Sequence, residues 1–140
     1  MKKLSKKSQR KLKELGVGIV YLFGSRVAGT ALNISDYDIG VVFVDNKKAF
    51  SNGFALFGEI YNVLSEDFPE SINGPRLDIS FLERANAGLQ ISAVSVGRVL
   101  FEVTPSFRAD YEESVIKRYD DYLCIQKGYE EATFRAFANN

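Results

Sequence analysis

Four short apolar runs alternate with amphipathic stretches along this chain, and that alternation constrains its fold more than any other feature. Val17 to Phe23 is β-branched and aromatic and stops at Gly24, which reads as a buried strand. Tyr37 to Val44 is a second strand, apolar on both faces after its start; Arg76 to Leu82 is a third, and Val99 to Val103 a short fourth. Between the runs the period changes to that of a helix. Leu4, Ser8, Lys11, Leu12 and Leu15 predict a basic amphipathic helix over residues 3–15. Phe54, Phe57, Ile60, Tyr61 and Leu64 predict another over 53–66, and a shorter one over 85–96 ends at Gly97. Ser25 to Leu32 has room for one or two helical turns. Pro105 opens a long helical stretch with Phe107, Tyr111, Val115, Tyr119, Tyr122 and Leu123 on one stripe. Asn46-Lys47-Lys48 and Asn73-Gly74-Pro75 read as turns. This order predicts an α/β fold, a small mixed sheet of about four strands with helices packed mainly on one face.

A length of 140 residues suits one domain. Its parts are a basic N-terminal helix (1–15), a core (17–103) and a C-terminal helical segment (105–140). The absence of histidine removes Ser-His-Asp and Cys-His catalysis and histidine-bearing zinc sites together. Cys124 is the one cysteine, so no intrachain disulfide forms, and it is expected to pack as a small hydrophobe. What chemistry remains belongs to carboxylates, hydroxyls, cations or a metal held by oxygen. The 18 basic and 18 acidic residues balance, but Lys2, Lys3, Lys6, Lys7, Arg10, Lys11 and Lys13 place 7 positive charges in the first 13 residues. The rest carries a formal −7, a poor surface for nucleic acid. No run of about 18 apolar residues is present, and no apolar stretch of signal-peptide type follows the basic start. The expectation is a cytoplasmic protein with no membrane segment.

The segment from Gly24 to Asp38 carries the chemistry. Gly24-Ser25 follows a strand and opens a short helix, where unpaired N–H groups favour phosphate. Gly24 admits close backbone approach, the Ser25 hydroxyl adds a hydrogen bond, and Arg26 supplies a cationic fork for phosphate oxygens. Asp36 and Asp38 stand two apart at a strand start and share a face. Two carboxylates so close repel unless a cation holds them, and magnesium takes one or two carboxylates plus substrate phosphates. Asp78, inside the otherwise apolar third strand, needs a partner or a cation. If that strand neighbours the second, three carboxylates converge in the manner of a two-metal clamp for phosphoryl or nucleotidyl transfer. Simpler readings compete: a strand-to-helix turn at Gly24-Ser25, a turn cap at Asp36, and an Arg76 partner for Asp78. Gly24-x4-Gly29 is not a Walker A loop, because Thr30 stands where its lysine belongs. The aromatic stripe after Pro105 serves as core or partner interface, and the basic first helix as a solvated face.

Gly24-Ser25, ten residues, then Asp36-Tyr37-Asp38 resembles the GS-x10-DxD signature of the DNA polymerase β-type nucleotidyltransferase superfamily. The shortness of the chain resembles the minimal nucleotidyltransferase group, the antitoxin partners of HEPN-domain toxins. The resemblance implies a palm-like core. It assigns Gly24, Ser25 and Arg26 to the triphosphate, and Asp36, Asp38 and Asp78 to two magnesium ions and to catalysis. It also implies transfer of AMP from ATP to a tyrosine of a HEPN toxin. The alternatives are an antitoxin that only occludes its partner, and an antibiotic adenylyltransferase. The second lacks room here for a drug-holding domain, and templated polymerisation lacks room for a duplex track.

Overall fold

The strand Val17–Phe23 (β1) is buried at every position and lies inside the sheet. A strand with apolar side chains on both faces needs cover on both faces, and that requirement organises the molecule. The computed structural model describes residues 3–24, 36–51 and 53–139. Around β1 stand Tyr37–Phe43 (β2), Leu77–Phe81 (β3) and Arg98–Glu102 (β4), in the order β3-β2-β1-β4. β1 is antiparallel to β2 and β4, whereas β2 and β3 are parallel. Parallel neighbours need a crossover, and it carries the helix Gly53–Asp67 (α2). The other helices are Lys6–Glu14 (α1), Ala87–Val96 (α3) and Pro105–Ala138 (α4). The turn expected at Asn46 to Lys48 is the start of a 3-10 helix, Asn46–Phe50. The helical turns expected over Ser25 to Leu32 lie outside the described residues.

Alternation along the strands divides the interior in two. Val20, Leu22, Ile39, Val41, Leu77 and Ile79 face Leu12 of α1 and Ile60, Val63 and Leu64 of α2. Ile19, Tyr21, Phe23 and Val42 face Ala93 and Leu89 of α3 and Phe107 and Tyr111 of α4. The mixed four-stranded α/β sheet is the one that the sequence predicts. Among the described residues two helices pack on each face, where the sequence places them mainly on one, because β1 is apolar on both.

Within α1, Ser5 caps the first turn by accepting a hydrogen bond from the Ser8 amide at 3.1 Å. Leu12 is fully buried while Lys6, Lys7, Arg10 and Lys13 are exposed, so the basic residues form a solvated face on a core helix. α4 begins with Thr104 accepting from the Phe107 amide at 3.1 Å and with Pro105 in the first turn. Phe107 lies against the β1 backbone so closely that a Cβ on Gly18 would strike its ring. The Tyr21 hydroxyl donates to Glu112 at 2.9 Å, and Arg108 ties Glu112 at 3.4 Å to Glu102 of β4. Burial, then Glu112, push the Tyr21 hydroxyl far above its ordinary range. From Asp120 to Asn139 every residue of α4 is exposed. Cys124 is among them, which corrects its expected packing: the helix has left the domain before that position.

Candidate active site

The sheet brings Asp38 between two neighbours. Its Cα pairs with Phe23 at the end of β1 and with Asp78 on β3. Ile39 and Ile79, the next residues on each strand, point into the core under α1 and α2. Asp38 and Asp78 therefore point to the opposite face, where α3 and α4 pack over β1 and β4 instead. Two carboxylates thus stand side by side on the β2–β3 half of that face. The parallel register places them there, and sequence spacing alone does not determine it.

Gly24 is the first residue beyond β1, with φ at +80°, a conformation that strains other L-residues. A Cβ on it would fall on the Asp38 carboxylate. The backbone thus leaves the strand in contact with Asp38, and only glycine fits. Ser25 and Arg26 lie outside the described residues.

Asp36 stands just before β2, exposed, and its carboxylate accepts from the Arg76 amide at 3.2 Å. The Tyr37 amide donates to the Arg76 carbonyl at 2.8 Å, and the Tyr37 hydroxyl donates to Glu70 at 2.7 Å. The Tyr37 ring packs on Phe68 with centroids 4.8 Å apart. These contacts fasten the start of β2 to the start of β3 and so hold Asp38 in line with Asp78. The ion pairs among the described residues do not join Arg76 to Asp78.

Burial raises the Asp38 carboxyl above the ordinary carboxylate range, and Asp78 and Asp36 raise it further. Such a carboxylate lacks positive charge. Among the described residues no three acidic or thiol side chains are gathered tightly enough to enclose a metal ion. The Asp38–Asp78 pair nonetheless fits a hard divalent cation in donor type and in charge. Asp36 would complete such a set only by giving up its bond to the Arg76 amide.

Glu83 was not singled out by the sequence. Its Oε2 accepts from the Phe43 amide at 2.8 Å, at the end of β2 remote from Asp38. Its Oε1 and the Tyr111 hydroxyl are buried without a hydrogen-bond partner among the described residues. Both line a cavity of about 730 Å3 with Gln90 and Arg118. Burial first raises both groups, with Glu83 adding to the shift on Tyr111. The one signal for Glu83 is an acid directly after the apolar run that ends at Leu82.

Among curated proteins none matches the chain in sequence. Solved structures do share its fold. A chain from a toxin–antitoxin complex with AMP-PNP is 20% identical, with a TM-score of 0.64, and the match covers 90% of this protein and 98% of that chain. A chain from the complex of tri-AMPylated Shewanella oneidensis HEPN toxin with MNT antitoxin is 18% identical, with a TM-score of 0.58 and coverage of 92% and 98%. A chain from an MntA-HepT toxin–antitoxin structure is also 18% identical, with a TM-score of 0.58 and coverage of 93% and 99%. No helix among the described residues is long and apolar enough to cross a membrane. Residues 3–105, which hold β1 to β4, Gly24 and all three aspartates, match the family described as polymerase beta, nucleotidyltransferase, and the chain belongs to that family.

Proposed function

We propose that the protein is a metal-dependent adenylyltransferase and an antitoxin, which moves AMP from ATP to a tyrosine of a HEPN-type toxin. The observation that carries the reading is the Asp38–Asp78 pair under the Gly24 turn. The toxin–antitoxin complexes that share the fold, one with AMP-PNP and one with AMPylated toxin, support the choice of nucleotide and acceptor. Asp36, Asp38 and Asp78 would hold magnesium, two ions by resemblance to the family, which supplies neutralising charge at the phosphates.

Each residue then has a task. Gly24 lets the triphosphate lie against the backbone, and Ser25 and Arg26 donate hydrogen bonds to its oxygens. The tyrosine oxygen of the partner forms a bond to the α-phosphorus as the bond to the bridging oxygen breaks, and pyrophosphate leaves. Asp78 accepts the hydroxyl proton. The Asp36–Arg76 contact holds the β2 start until the metal site fills.

The test is the intact mass of a HEPN-type partner incubated with the protein and ATP. Additions of AMP should appear with magnesium, disappear in EDTA, and be lost with Asp38→Asn, a fall of about two or more orders of magnitude in rate. A partner that is neutralised at unchanged mass would replace transfer by occlusion.

A further inference from the structure

We propose that the exposed part of α4 pairs antiparallel with the same segment of a second copy of this chain. A compact chain of 15.7 kDa exposes about 7,300 Å2, whereas this one exposes 9007 Å2. The rod from Asp120 to Asn139 is about 30 Å long and buries none of its residues.

The stripe by which α4 packs on its own domain, through Phe107, Tyr111 and Val115, continues along the rod as Tyr122, Ile125, Tyr129, Ala132 and Ala136. Tyr129 and Phe137 are 75% and 77% exposed, and they flank a hollow floored by Ala132 and Ala136. Large side chains and small gaps thus alternate on one face.

The charge pattern selects the occupant. Asp121 and Arg135 lie on one flank of the stripe, about four turns apart, with Gly128 midway. Gln126 and Glu130 lie toward the other flank, also symmetric about Gly128, as are Tyr119 and Phe137. A two-fold axis through Gly128 therefore sets Asp121 against Arg135 of the second copy, Gln126 against Glu130, and Tyr119 against Phe137, each twice. Gly128 has open space around it. A parallel pair would set that flank against the opposite one and leave Asp121 and Arg135 far apart. Among the described residues neither takes part in an ion pair within its own chain. The antiparallel pair also keeps the two folded bodies at opposite ends of the rod.

Sedimentation of the full-length protein, without nucleotide or partner, tests this separately from the proposed transfer. A reversible dimer is expected over micromolar to submillimolar concentrations. Asp121→Arg alone and Arg135→Asp alone should each weaken it about tenfold or more, because each places like charges together twice. The double variant should restore it, and circular dichroism of each variant checks that the helix persists. A monomer throughout would overturn the proposal, as would a double variant no better than the singles. A rod that gains protection from hydrogen exchange only when a HEPN-type partner is added would assign the stripe to that partner instead.

Discussion

Asp38 shows how a single carboxylate couples stability to pH. Its pKa is raised in the folded chain, so between the unfolded and folded values the folded state holds a proton that the unfolded state has released. Its favourable contribution is complete below the unfolded value and is lost as pH rises through the folded value. Without metal, Asp38→Asn should therefore melt a few degrees above wild type at neutral pH, and the gap should close on acidification. Magnesium should reverse the order by stabilising wild type alone. Thermal melts across pH, with EDTA and with magnesium, measure both effects, and a gap independent of pH would refute the electrostatic account. Gly24→Ala should lose about 1–2 kcal/mol from its backbone conformation alone, and more from contact with Asp38. Denaturant unfolding and nucleotide titration should both record the loss. The Asp36-x-Asp38 spacing and the odd acid at Asp78 were legible in the sequence because alternation in a strand is strict. The Asp36 bond to the Arg76 amide was not, since it depends on where β3 begins beside β2. Glu83 was passed over for a similar reason: its burial comes from a return of the chain onto β2 that no local pattern announces.

At the scale of elements, the strands were legible almost to the residue, since each run is short, apolar and bounded by turn residues. The distribution of helices was harder to read. Helical spacing says which residues share a side, and it does not say which face of the sheet they meet. α1 illustrates the point, because its charges read as a solvated face and do not reveal that Leu4 and Leu12 make it part of the core. Leu12→Ala should cost about 2–5 kcal/mol in denaturant unfolding. Lys6→Gln combined with Arg10→Gln should change stability by about 0.5 kcal/mol or less. If the charge variants proved as damaging as Leu12→Ala, the solvated-face description of α1 would fail. The stripe along α4 was equally visible in the sequence. Phe107 and Tyr111 belong to the core, whereas Tyr122 and Tyr129 stand clear of it, because only the first part of the helix lies over the sheet.

For the whole molecule, the order β3-β2-β1-β4 sets a sequence of assembly as well as a shape. β1 and β2 meet across one connection and bring Gly24 against Asp38. Asp78 arrives only when the chain has passed through α2 and laid β3 parallel to β2. Closing that longer loop is the slower event on entropic grounds. A chain caught between the two events has its glycine turn and first carboxylates in place, yet lacks the third. On the proposed function, a nascent or partly unfolded copy would be inert, and nucleotide transfer would belong to finished molecules alone.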